Sequence, residues 1–171
     1  YYTFAVSTET LEGSFVGPYQ ILSEIGRGAV ACVYKARHIH PHYAERLFAL
    51  KVLHQHFASD GRVQEHFRKE AFVLARLRHP CIVETFEAAL QDGRMFIAME
   101  CVFGRDLDRF ITATENAQIE VPLELVLYLV GEVLKALVFV EQLQDSEGRP
   151  LHLVHRDINP ANIFLSFDGR V

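Results

Sequence analysis

Cysteine is scarce: Cys32, Cys81 and Cys101 are the only three, far apart and odd in number. Such a set is a poor basis for a disulfide framework and favours a reducing compartment, so the cytoplasm is the expected location. Positive charge is also short, with 17 Lys and Arg against 22 Asp and Glu and a net charge of −5. That balance argues against nucleic acid or an anionic membrane as partner. There is no membrane-spanning run. The most apolar stretch, residues 123–143, carries Glu132 and Lys135 and has helical spacing at Val126, Val130, Val133, Leu134 and Leu137, so it reads as a long core helix with Pro122 suited to its first turn. Internal repeats, low-complexity tracts and a recognisable signal peptide are missing, and the first residue is Tyr1 rather than Met. Half of the residues are hydrophobic, enough at 171 residues for a sizeable core and against disorder.

What the chain does have is a polar stretch between apolar runs, His155-Arg156-Asp157-Ile158-Asn159-Pro160-Ala161-Asn162. Asp157 can orient an attacking hydroxyl or accept its proton, and Asn162 offers a neutral oxygen to a hard cation such as Mg²⁺. Taken alone, an Asp/Asn pair of this kind usually makes a turn. Three features upstream fall in order with it. Ile25-Gly26-Arg27-Gly28 joins two runs that read as strands, residues 19–25 and 31–36, so its glycines form either an ordinary hairpin or a loop closed over phosphates. Phe48-Ala49-Leu50-Lys51-Val52-Leu53 is an apolar run around one cation, with Ala49, Lys51 and Leu53 on one face and Phe48, Leu50 and Val52 on the other. Lys51 either snorkels from a strand end or meets an anion. Between Arg62 and Leu77, Val63, Phe67, Leu74 and Leu77 recur at helical spacing, and Glu70 shares their stripe, which makes it the candidate partner for Lys51. His79-Pro80 is the expected end of this helix.

Together these segments resemble the protein kinases, in particular the serine/threonine kinases of eukaryotic type found in bacteria, whose opening Gly17-Pro18-Tyr19-Gln20-Ile21-Leu22-Ser23-Glu24-Ile25-Gly26-Arg27-Gly28 is similar to. The resemblance implies an α+β, two-lobe fold: a complete N-terminal lobe of antiparallel sheet plus one helix, then part of a helical C-terminal lobe. Residues 1–17 form a lead-in, 18–103 the nucleotide-binding lobe and 104–171 the partial second lobe. The expected cofactors are ATP and Mg²⁺, and the expected partner is a protein substrate phosphorylated on Ser or Thr. Lys51 would hold the nucleotide phosphates and Glu70 would hold Lys51. Ile25, Gly26, Arg27 and Gly28 would begin the phosphate cradle, with Ala31 standing where the family has a third glycine. Val33 and Ala49 would cover the adenine on one side and Phe164 on the other. Met99 would be the gatekeeper, with the backbone from Glu100 to Val102 at the adenine edge. Asp157 would orient the substrate hydroxyl and Asn162 would bind one Mg²⁺. By the same resemblance His155 is structural and Arg156 organises the activation segment.

Two departures stand out. Asn159 occupies the place where the family usually has a lysine that contacts the transferring phosphate; the amide can still donate a hydrogen bond there, but without a cation's charge. The strand expected at residues 163–165 and its turn at 167–170 are followed by Val171 alone, so the chain reads as cut before the family's Asp-Phe-Gly segment, and the isolated piece is expected to be catalytically impaired. Pro160 matches the serine/threonine type of loop. Two alternatives stay open: a pseudokinase or nucleotide-binding scaffold, favoured by Asn159, and a phosphotransferase acting on small molecules. The alternating His38, His40 and His42 are interrupted by Pro41 and lack an accompanying Cys or carboxylate, so a solvated surface loop is the expectation there, as for His54 and His56. The stretch from Gln144 to Pro150 reads as a second surface loop.

Overall fold

The computed structural model describes residues 11–171. The first ten residues of the expected lead-in lie outside the described part. Two compact units are present, one running to Ala75 and resuming over Thr85–Cys101, the other made of Arg76–Glu84 and Val102–Val171. Residues 76–84, which sequence order alone assigns to the first half, thus cluster with the second.

The first unit is an antiparallel sheet with one long helix. Strands β1 (Phe15–Val16), β2 (Tyr19–Arg27), β3 (Ala31–His38), β4 (Leu47–Leu53), β5 (Thr85–Gln91) and β6 (Arg94–Glu100) pair in the order β1-β2-β3-β4-β6-β5, and helix α1 spans Gly61–Leu74. β1 is a strand the lead-in reading lacks. It turns back onto β2 through Gly17-Pro18, where Gly17 has φ +54°, a left-handed conformation that suits glycine. A Cβ there would also lie 2.7 Å from Gln91 Oε1.

Strand alternation sorts the apolar side chains into two clusters. Phe48, Leu50 and Val52 of β4 join Tyr19, Ile21, Cys32, Tyr34, Ala36, Phe96 and Ala98 on one face. Leu53, Ala31, Met95 and Ile97 face the other way and meet Phe67 and Ala71 of α1. A buried Phe such as Phe67 contributes about 1.5–3 kcal/mol of this helix-to-sheet packing. Asp60 caps α1, its carboxylate accepting from the backbone N–H groups of Arg62 (2.9 Å) and Val63 (3.2 Å), worth about 1 kcal/mol.

The helix stops at Leu74, short of the expected end near His79-Pro80. Leu77 is in phase with the apolar stripe and is buried, but outside the helix and within the second unit. The stretch from His38 to Arg46 contains a short 3-10 turn at Pro41–Tyr43, exposed as expected of a surface loop. His38 Nδ1 accepts from the backbone N–H of His40 (2.9 Å) and His40 Nδ1 from that of His42 (3.2 Å), so these ring nitrogens hold the loop's own backbone. Tyr43 packs edge-on to His38, and the Arg46 guanidinium lies 4.0 Å from the centre of the Phe86 ring.

In the second unit, β7 (Gly104–Asp106) leads directly into α2 (Leu107–Asn116), α3 spans Leu123–Glu141, and β8 (Phe164–Ser166) pairs antiparallel with β7. The strand expected near residue 164 therefore finds its partner sixty residues upstream rather than in a hairpin with the chain end. No described helix is long and apolar enough to cross a membrane.

The rejoined segment 76–84 is tied to α3. His79 packs on Phe139, and the Cys81 thiol donates to Glu132 Oε2 at 3.0 Å, while Lys135 pairs with Glu132 Oε1 at 2.5 Å. Burial, then the Glu132 carboxylate, pushes the Cys81 thiol up from 9.0 to about 11. A thiol raised in the folded state binds its proton more tightly there than in the unfolded chain, so its contribution is complete below pH 9 and is lost as pH rises through about 11. Cys81→Ser keeps a hydroxyl donor without the titration and is expected to flatten this alkaline fall in Tm, measured by thermal melts of both proteins between pH 8 and roughly 11.

Candidate active site

Each unit assembles its own set of the sequence-predicted residues. In the first, the register does the work: Val33 lies opposite Lys51, which lies opposite Ile97, and Lys35 lies opposite Ala49, which lies opposite Met99. Residues directly opposite in antiparallel strands share a face, so Val33, Ala49, Lys51 and Met99 all project from the side of the sheet that carries α1. Lys51 Nζ meets Glu70 Oε1 at 2.5 Å across nineteen positions of sequence. The pair is more open than an apolar-stripe carboxylate implies, with side-chain exposures of 27% for Lys51 and 41% for Glu70. A half-exposed pair of this kind contributes about 0–1 kcal/mol to stability. Its value is positional: Glu70 holds an ammonium on the sheet face that carries Val33, Ala49 and Met99.

The glycine-containing turn joins β2 to β3 as a hairpin closed by Gly28 N–H to Ala31 O at 2.9 Å. Two irregularities in β2, between Ile21 and Ser23 and between Glu24 and Gly26, bend the strand before the turn. Ile25 is half-exposed there, and Gly26 has open space where a Cβ would stand. The Arg27 guanidinium is occupied by Glu24, so Arg27 offers the cradle its backbone rather than a free charge. Arg27 in turn holds the Glu24 carboxyl below its ordinary 4.5. His54, expected to be merely solvated, braces the turn: its Nε2 lies 2.9 Å from Gly28 O and its N–H bonds Val30 O at 3.0 Å. No local sequence signal announces that contact, because it spans twenty-six positions. Cys32 is buried below the turn with its thiol on Gly26 O at 3.2 Å, and burial raises both Cys32 and Cys101, so neither is primed as a thiolate.

In the second unit the polar stretch forms an irregular loop ending in a 3-10 turn at Pro160–Asn162. Arg156 sits at φ +63°, a left-handed conformation that costs a non-glycine residue about 1–3 kcal/mol and tends to occur at functional sites. His155 Nδ1 accepts from the Asp157 N–H at 3.3 Å. Asp157 is exposed, its Oδ1 accepting from Asn159 Nδ2 at 2.9 Å and its Oδ2 from Asn162 Nδ2 at 2.7 Å. Asn162 Nδ2 also reaches Asp157 O at 2.9 Å. With its amide nitrogen so engaged, Asn162 keeps Oδ1 to offer a hard cation, and the donor chemistry fits Mg²⁺. Phe164 follows at the start of β8, partly exposed.

The family model described as protein kinase domain matches residues 19–171. The chain belongs to the protein kinase family. Among curated relatives, the tyrosine-protein kinase MasK of Myxococcus xanthus is 31% identical over 91% of this chain, and the serine/threonine-protein kinase PrkC of Bacillus subtilis is 35% identical over 91%. The chain spans about a quarter of the length of these proteins, 24% and 22%. A crystal structure of the Mycobacterium tuberculosis PknI kinase domain superposes with a TM-score of 0.70 at 33% identity, covering 93% of this chain and 59% of that one. Of these three, PrkC is named a bacterial serine/threonine kinase, the type that the resemblance implied, whereas MasK is named a tyrosine kinase.

Proposed function

We propose that this chain carries the nucleotide-binding lobe, residues 18–103, and the catalytic loop of an ATP-dependent protein kinase that transfers the γ-phosphate to Ser or Thr hydroxyls of protein substrates. The observation that carries the reading is the Lys51–Glu70 pair on a sheet face shared with Val33, Ala49 and Met99. Val33, Ala49 and Met99 supply apolar contact for the adenine, with the Glu100 to Val102 backbone offering hydrogen bonds to the base edge. Gly26 and Gly28 let backbone N–H groups approach phosphate oxygens, and Lys51 binds those oxygens as a cation. Asp157 orients the acceptor hydroxyl and takes its proton, and Asn162 Oδ1 is the oxygen available to Mg²⁺. Bound Mg²⁺ would neutralise charge on the phosphates. The cytoplasm is the proposed compartment, in line with three free thiols.

The test is transfer of label from γ-labelled ATP with Mg²⁺, by the protein carrying this chain, to a generic protein acceptor, followed by phosphoamino-acid analysis. Phosphoserine or phosphothreonine is expected. Phosphotyrosine alone would overturn the Ser/Thr assignment, a live distinction given the tyrosine-kinase name of MasK. Nucleotide binding without transfer would favour the pseudokinase reading, for which Asn159 in place of lysine is the specific observation. Gly26→Ala tests the cradle: open space at that Cβ means an unchanged Tm, while the added methyl in the phosphate approach raises the KM for ATP by about 10-fold.

A further inference from the structure

We propose that Asn159 is a positioning residue for the Asp157 carboxylate and not a neutral stand-in for a phosphate-binding lysine. This inference rests on the kinase reading of the loop. Four hydrogen bonds support it. Asn159 Oδ1 accepts from the Ala161 N–H at 3.0 Å, capping the Pro160–Asn162 turn. With the amide plane held at its oxygen end, Nδ2 points back to Asp157, bonding Oδ1 at 2.9 Å and the Asp157 backbone O at 3.3 Å. Asn162 Nδ2 takes Oδ2 from the far end of the same turn at 2.7 Å.

Each carboxylate oxygen of Asp157 therefore has its own amide donor, and the two donors are set by one short turn. Rotation of a carboxylate about its last bond is ordinarily loose. Here two amides hold the carboxylate plane, while each oxygen retains lone-pair capacity for a hydroxyl proton. A lysine at 159 could donate to Asp157 but has no acceptor for the Ala161 N–H, so it could not cap the turn that also carries Asn162. Asparagine supplies both functions in one side chain. The loop thus gives up a cation and gains a fixed base orientation.

The test separates positioning from phosphate contact. In the protein carrying this chain, Asn159→Ser keeps an acceptor for Ala161 N–H but loses the Nδ2 donor. It is expected to lower kcat by about 10-fold or more, the scale set by loss of orientation, with the KM for ATP within about two-fold of wild type. Asn159→Asp also keeps the acceptor but sets a second carboxylate against Asp157, and is expected to lower kcat further at the same KM. A kcat within about two-fold in Asn159→Ser, or a KM for ATP that rises in proportion to the loss, overturns the proposal. A second readout needs no turnover. In side-chain amide NMR spectra of the chain, Asp157→Ala is expected to shift the Nδ2 signals of both Asn159 and Asn162, leaving Asn116 at the end of α2 unmoved. An Asn159 signal that does not respond overturns the clamp. If the wild type transfers no phosphate, the kinase reading fails on its own, and the NMR comparison still decides whether the clamp exists.

Discussion

Lys51→Met in the protein carrying this chain is expected to reduce phosphotransfer by at least about 100-fold while changing Tm by no more than about 2–4 °C. The methionine keeps an unbranched apolar stem within β4, so Val52 and Leu50 on the opposite face stay packed. Removing the ammonium leaves Glu70 without its ion-pair partner, yet Glu70 is 41% exposed and water can solvate it. The large penalty of an unpaired buried charge does not arise, and the stability lost is that of a half-exposed pair, about 0–1 kcal/mol. What is lost in function is the cation that would meet the phosphates, an interaction that matters most as charge shifts in the transition state. Parallel measurement of transfer rate and thermal melt decides the matter. Surviving activity would remove Lys51 from the site, whereas a collapsed melt would assign it a structural part instead.

Gly104→Ala is expected to destabilise the second unit by about 1–3 kcal/mol, roughly 2–12 °C in Tm for a chain of this size. A Cβ on Gly104 would lie 2.1 Å from Leu165 O and 2.7 Å from the Ser166 Cα. Both are backbone atoms of β8, and a backbone cannot rotate aside as a flexible side chain can. The β7–β8 pairing would have to open, along with the flanking bonds from Leu107 N–H to Ile163 O (2.7 Å) and from Phe167 N–H to Phe103 O (2.9 Å). Hydrogen exchange at Leu107 and Phe167 should therefore quicken more than exchange within α3. Because β8 begins two residues after Asn162, the same substitution is expected to blunt activity through the end of the catalytic loop. Unaltered exchange at those two amides would show that the strands accommodate the added methyl without separating.

Gly104 also illustrates where reading the chain stopped short. Phe103-Gly104 was legible as a break between a strand-rich and a helix-rich half. That its glycine is needed for close backbone contact with residues sixty positions later was not, because a three-residue strand has too few positions to display a period of two. The end of α1 shows another limit. Leu77 continues the helical stripe in sequence and is buried, but the helix ends at Leu74 and Leu77 falls in the second unit, so the apolar pattern outruns the helix. Cys81 and Glu132 likewise gave no local signal of their bond.

The period-two pattern of β4 and the 3.6-residue pattern of α1 were enough to put Lys51 and Glu70 on facing surfaces, since each side chain's direction follows from its own short segment. The spacing of Asp157 and Asn162 was equally local, but such a pair alone usually makes a turn, and the order of the three segments upstream is what points the loop to phosphate chemistry. Tertiary structure alone decided the openness of the Lys51–Glu70 pair, the bracing of the glycine turn by His54, the return of residues 76–84 to α3 and the union of β7 with β8. Each of those depends on contacts between distant segments, and no window of sequence contains both partners.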